Sequence, residues 1–299
     1  MGGAKRHNSG TSKTLFCAAL LALSGGPARA AEPVPAAPPC EVMRTLVILV
    51  QFPDVKHAVS RETVRARFFP WLDNYVREMS YGKACVDGRV TGKWYTMPHP
   101  AARYKIVPQN LLVAKDPVYN LLQDVIDAAD KDVDFSKYPY VGIYLGASML
   151  EYGMLCLNAY PGFAAWAATE PLKTKSGQII NSADVFSSNV HLGNIAHDMF
   201  HSYGGLRAGN RVVPCLYDHE LQARPGISRR TFFAALVNMG FWDPMSAQWY
   251  KYSLPPMGIS SWTRIRLGWI EPSKILTVRP DKTTEVVLGP LEAGEAALG

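Results

Sequence analysis

The sequence predicts a mixed α/β domain (α/β or α+β in class), with helices and strands alternating over one core. Three observations carry that prediction. Thr45 to Phe52 is an unbroken β-branched and apolar run closed by Pro53-Asp54, the pattern of a central strand buried on both faces. Asp116 to about Asp130 places Val118, Leu121, Leu122, Val125, Ile126 and Ala129 on one apolar stripe at helical spacing. Tyr140 to Leu145 is a second continuous apolar run, read as another buried strand. With 48% apolar and 19% charged residues over 299 positions, the chain has the composition of a folded protein with one large core and room for a small appendage.

The elements follow in order. Lys5, Arg6, His7 and Lys13 precede the apolar run Leu15–Leu23, and small residues then lead to Ala28-Arg29-Ala30. This three-part layout is that of a secretory signal peptide over 1–30, too short in its apolar run to span a bilayer. Residues 31–40 are Pro/Ala-rich and read as an extended linker. The folded part, 41–275, opens with the Thr45–Phe52 strand. Ser60 ahead of Glu62 starts a helical stretch reaching Tyr81-Gly82, interrupted at Pro70. Between Cys85 and Met97, Asp87-Gly88 and Thr91-Gly92 suggest a hairpin. The next helix takes Asp116 as its cap and Pro117 as its first residue. Ile275–Val278 and Glu285–Leu288 read as strands opening a short β-rich C-terminal segment over 276–299.

Charge and cysteines bound the function. The formal charge is +6, but Lys5, Arg6, Lys13 and Arg29 face no acidic residue in the first thirty positions, and subtracting these four leaves +2. No dense Lys/Arg cluster with interleaved aromatics follows, which argues against nucleic acid as a partner. No later run has the length of a transmembrane helix, so no stable membrane insertion is expected once the leader is cleaved, and the expected location is secreted or periplasmic. Cys17 would leave with the leader; Cys40, Cys85, Cys156 and Cys215 then permit two disulfides in three pairings.

The chemistry-bearing segment is His197-Asp198-Met199-Phe200-His201. Two His four residues apart lie on one helix face, where both imidazoles can reach one tetrahedral Zn²⁺. A pair of hydrogen-bonded, partly buried histidines is the alternative. Ile195-Ala196 gives an apolar approach, and Tyr203-Gly204-Gly205 offers a helix stop, so the segment reads His-Asp-x-x-His-x-x-Gly. The other histidines, His57, His99 and His191, fall in turn-like segments and are expected to face solvent. Tyr217 and Tyr250 are candidates for stabilising an oxyanion, with plain packing as the alternative.

Several separated pieces, taken together, resemble the immune inhibitor A-type family of secreted zinc metallopeptidases, which is related to the metzincins. They are Ser80-Tyr81-Gly82-Lys83 with Val90-Thr91-Gly92-Lys93-Trp94-Tyr95, Leu216-Tyr217-Asp218, Phe241-Trp242-Asp243-Pro244-Met245-Ser246, and Ser260 through Ile270, in a likeness running from about Arg44 to Ile275. The resemblance implies a metzincin-like domain with a mixed sheet and an active-site helix, zinc as cofactor held by His197 and His201, and Met245 in the methionine turn. It implies peptides or proteins as substrates. Two positions depart from the family. Asp198 stands where the family has the Glu that serves as general base, one methylene shorter. Arg207 stands where the family has an Asp ligand; realigning on Val213 to Asp218 brings Cys215 to that place. Cys215 is then either the third ligand or a half-cystine, with Asp218 and His219 close by. The expected function is a secreted zinc endopeptidase with Asp198 as base. The alternative is a metallopeptidase-like binding protein without turnover.

Overall fold

In a computed structural model, residues 39–291 are described apart from 108–109, 111–112, 163–170, 209–212, 214–215, 217–241 and 247–255, with backbone alone at 205–208. The expected leader, most of the linker, and Tyr217, Asp218, His219, Phe241, Tyr250 and Cys215 lie outside the described residues. All that follows belongs to one compact unit, Pro38–Gly299.

Five strands form one mixed sheet in the order β2-β1-β3-β5-β4: β1 (Glu41–Gln51), β2 (Ala84–Thr96), β3 (Tyr140–Leu145), β4 (Cys156–Tyr160) and β5 (Ala183–Phe186). Four run parallel, and β4 pairs antiparallel to β5 at one edge. The helices are α1 (Arg61–Ala66), α2 (Asp73–Met79), α3 (Ala101–Tyr104), α4 (Lys115–Ala129), α5 (Met149–Tyr152), α6 (Leu192–Ala208) and α7 (Ser261–Arg266).

Strand alternation divides the core. Leu46, Ile48 and Val50 of β1, with Val141, Ile143 and Leu145 of β3, face one cluster closed by α3 and α4. Met43, Val47 and Leu49, with Tyr140 and Tyr144, face the other, closed by α1, α2 and α6. Burial on both faces is why these strands read as continuous apolar runs rather than alternating ones.

The expected β1 and β3 are present, β1 longer at its start. Ser60 caps α1 by accepting from the Thr63 N–H at 3.1 Å. A wider π-helical stretch, Arg67–Leu72, carries the chain past Pro70 into α2, so the interruption expected at Pro70 is a change of winding and not a break. The α4 stripe is fully buried as expected, but the helix begins at Lys115; Asp116 sits in its first turn rather than capping it.

The hairpin expected between Cys85 and Met97 is instead the single strand β2, parallel to β1. Its turn-like glycines have other causes. Gly88 has φ +152°, and a Cβ there would lie 1.8 Å from the Thr45 carbonyl oxygen, so β1 and β2 approach too closely for a side chain. At Thr91-Gly92-Lys93 the register slips: Val47 pairs with Val90, yet Leu49 pairs with Trp94. The Thr91 hydroxyl fills the gap, accepting from the Leu49 N–H at 3.0 Å and donating to the Lys93 carbonyl at 3.1 Å. A bulge places Gly where a turn would.

The C-terminal strands are also corrected. Residues 275–278 and 285–288 join no ladder among the described residues, and Val287 and Leu288 are 88% and 86% exposed. A strand-like sequence without a neighbour to bond stays unpaired. Of the cysteines, Cys40 and Cys85 form a disulfide with Cα atoms 5.7 Å apart, and Cys156 holds a free thiol. No helix among the described residues is long and apolar enough to cross a membrane.

Candidate metal centre

The site begins with a helix that has little contact with water. From Ile195 to Tyr203 every residue of α6 is buried. Ile195, Ala196, Met199, Phe200 and Tyr203 supply apolar contacts, with Phe200 and Tyr203 against Trp269 at ring distances of 5.4 and 6.4 Å. Between them lie His197, Asp198, His201 and Ser202, each at most 4% exposed. Polar groups buried this deeply are tolerable only with partners.

His191, expected in solvent, is buried and starts this helix. Its Nδ1 accepts from the Gly193 N–H at 3.1 Å, and its carbonyl accepts from Asn194 and Ile195. An imidazole here does the work of the usual Ser or Asp cap. His57 and His99 are exposed as expected.

Each histidine of the pair is held from outside the helix. His197 Nδ1 lies 2.8 Å from the Pro244 carbonyl oxygen and His201 Nδ1 lies 2.5 Å from that of Val213. A carbonyl only accepts, so each Nδ1 carries a proton and each ring keeps its lone pair on Nε2. Those two Nε2 atoms stand 3.1 Å apart, the rings at 81° to one another. Two lone pairs facing at this distance need a cation or a proton between them. Zn–N bonds of ~2.0–2.1 Å in a tetrahedron set two ligand nitrogens roughly 3.3 Å apart, so the pair fits one zinc ion. The same spacing fits an N–H···N hydrogen bond if one ring takes a second proton. Among the described residues no group of three His, Cys, Asp or Glu side chains stands ready to hold a metal. Of the described cysteines, Cys40 and Cys85 bond to each other and Cys156 is a free thiol.

The turn that supplies the Pro244 carbonyl is built on Asp243, which is fully buried. Its Oδ1 accepts from the Met245 N–H at 2.8 Å; its Oδ2 accepts from the Ser260 N–H at 3.0 Å, the Ser260 hydroxyl at 2.5 Å and the Thr263 hydroxyl at 2.6 Å. Met245, also fully buried, joins the apolar cluster of Ile195, Ala196 and Met199, and its carbonyl accepts from Leu216 at 2.9 Å. Thus Asp243 fastens α7 to the turn, and the turn fastens His197. The carboxylate also raises the pKa of Tyr75, second to the effect of burial, and the Tyr75 hydroxyl donates to the Met257 carbonyl at 2.7 Å.

A second polar group joins α6 to the sheet edge. Asn158 of β4 donates to Asp184 of β5 at 2.7 Å and to the Ser202 hydroxyl at 3.0 Å, and that hydroxyl donates to the Asp184 oxygens at 3.0 and 2.9 Å. Nearer the helix start, the Cys156 thiol of β4 lies beside Asp198 and Asn194; burial first, then the Asp198 charge, pushes the thiol pKa up. Sequence reading assigns no role to Asp184 or Asn158, offers Cys156 only as a half-cystine where the structure has a free thiol, and does not show the anchoring role of Asp243. The available signal was an acid inside an otherwise apolar strand, Ala183-Asp184-Val185-Phe186.

No family model matches the chain, and no curated protein matches it in sequence.

Proposed function

We propose that this chain is an exported zinc-dependent hydrolase of peptide bonds, with a metzincin-like domain of the immune inhibitor A type. The observation that carries the reading is the facing pair of Nε2 atoms on His197 and His201, 3.1 Å apart with both Nδ1 atoms committed to carbonyls. Fixing the far nitrogen by a backbone acceptor is how a protein readies imidazole as a metal ligand. The mixed sheet, the buried histidine helix and the Met245 turn agree with what the sequence resemblance implies. The leader pattern and the Cys40–Cys85 bridge support export.

Bound there, zinc would polarise the scissile carbonyl and lower the pKa of a water molecule. The chain's residues do the rest. His197 and His201 would hold the ion, with Cys215 as third ligand and Asp218 or His219 as alternates. Asp198 takes the proton from water and returns it to the leaving amine. The outer edge of β4, which no described strand covers, offers its backbone to an extended peptide. A second reading, peptide binding without turnover, is favoured by one observation: Asp198, one methylene shorter than the Glu the resemblance expects there, is only 4% exposed.

Zinc content and affinity of the purified chain, with His201→Ala and Cys215→Ser beside it, test the proposal. Stoichiometric zinc lost in both variants supports the His/His/Cys site, and peptide hydrolysis that rises in Asp198→Glu supports the enzyme. A wild-type chain that takes up no zinc in the absence of chelators sinks the hydrolase and leaves the binding reading.

A further inference from the structure

Asn194, Asp198 and Ser202 are spaced four apart along α6 and make one polar stripe, turned from the stripe of His197 and His201. Strand β4 packs on this helix. The contact that fixes their alignment is Asn158 to the Ser202 hydroxyl at 3.0 Å. The register shift in β4 falls after Asn158, so Cys156 and Asn158 share a face of the strand. Two strand residues advance ~6.6 Å, and four helix residues advance ~6 Å. With Asn158 level with Ser202, Cys156 is therefore level with Asp198, one helical turn back. Its packing against the Ile195 and Met199 cluster agrees with that placement.

We propose that Cys156 is a positioning residue for Asp198, its thiol donating to the carboxylate from the edge strand. The inference rests on the hydrolase reading above and adds to it how the shorter base is held. Asp198 lacks the reach of Glu, and a donor on the facing strand fixes its carboxylate on the β4 side of the helix, where an extended substrate would lie. The closed ring of Asn158, Asp184 and Ser202 keeps β4 from sliding along α6, and so sets the height of Cys156. Burial and the neighbouring Asp198 keep the thiol protonated, the form that can donate. On this account Cys156 is neither a metal ligand nor a half-cystine.

Infrared spectroscopy of the full chain tests the contact without any activity. The Cys156 S–H stretch, assigned by its loss in Cys156→Ser, is expected at low wavenumber in the wild type and at higher wavenumber in Asp198→Asn. An identical band in wild type and Asp198→Asn overturns the proposal. Hydrolysis of denatured casein then tests the consequence. Cys156→Ala is expected to lower kcat roughly tenfold or more, within the range a mispositioned base can cost, with KM and zinc stoichiometry unchanged, and Cys156→Ser to recover part of the loss through its hydroxyl. Cys156→Ala with kcat within about twofold of an active wild type also overturns it. A band that moves as expected in a wild type that hydrolyses nothing upholds the contact, and it is then the hydrolase reading that falls.

Discussion

On the α4 side of the sheet, Leu46, Ile48 and Val50 meet Val118, Leu121, Leu122 and Val125, all fully buried and all aliphatic. On the α6 side the same strands meet a helix carrying two histidines, an aspartate and a serine, each at most 4% exposed, with Asp184 and Asp243 buried nearby. The first surface needs only apolar area removed from water, which contributes ~25 cal/mol per Å² and has no directional demand. The second must hold buried polar groups in place, and it does so for His197, His201, Asp184 and Asp243 through carbonyls of Pro244 and Val213, hydroxyls of Ser202, Ser260 and Thr263, and the Asn158 amide. One sheet thus divides its labour by face: α4 stabilises, and α6 places chemical groups where solvent cannot randomise them.

The largest test of that division is Leu122→Ala. Truncating a fully buried leucine is expected to cost about 2–5 kcal/mol in urea unfolding, from lost transfer energy and the cavity left behind. Zinc affinity of the folded fraction should stay at the wild-type value. A parallel loss of zinc binding would show that the two faces are coupled, and the comparison would break.

Asp243→Asn sharpens it from the other side. Every orientation of the amide sets its NH₂ against at least one donor among Met245 N, Ser260 N, Ser260 Oγ and Thr263 Oγ1. The expected destabilisation is about 1–3 kcal/mol, smaller than for Leu122→Ala. Here zinc binding should weaken as well, roughly 10–100-fold, because the turn carries the carbonyl that orients His197. Calorimetric zinc titration and urea midpoints on one preparation separate the two effects. Lost stability with unchanged zinc affinity would deny the turn its part in the site.

How much of this the sequence revealed also differs by face. The α4 stripe and the β1 and β3 runs were legible because periodic apolar burial leaves a periodic pattern. The histidine spacing and the Met245 turn were legible as motifs. What holds them was not. Asn158, Asp184 and Ser202 come from three elements, and nothing local in any of them announces the ring they close. The β2 error has the same root: Gly88 answers to Thr45 on another strand, and turn chemistry read locally mistook that long-range demand for a hairpin. The two motif pieces around Tyr81 and Arg264 meet in space, with the guanidinium 4.8 Å from the ring centre, a contact 183 positions of chain conceal.

The smallest expected effect is one in which the two faces behave alike. Tyr144, on the α6 side, is fully buried, and burial pushes its pKa from 10.0 up to about 12, with Arg67 opposing. Tyr95, Tyr104 and Tyr152, on the α4 side, are raised too, by burial first and, for Tyr95 and Tyr104, then by the bonds to Asp132 and Asp124. The unfolded chain loses such a proton near the ordinary value while the folded chain keeps it. The stability from each raised tyrosine is therefore fully present below about pH 10 and is lost as pH rises through the folded pKa. Tyr144→Phe should remove only its own share: the fall in urea midpoint between about pH 9 and about pH 11 becomes shallower by on the order of 1 kcal/mol and does not vanish, because Tyr75 on the same face and the α4-side tyrosines are raised as well. At neutral pH the same variant loses about 1 kcal/mol, since the hydroxyl donates to the Ser188 carbonyl at 2.7 Å and accepts from Arg67. An alkaline slope abolished by Tyr144→Phe would assign the whole pH response to the α6 face. A slope left unchanged would mean that Tyr144 does not hold its proton through this range.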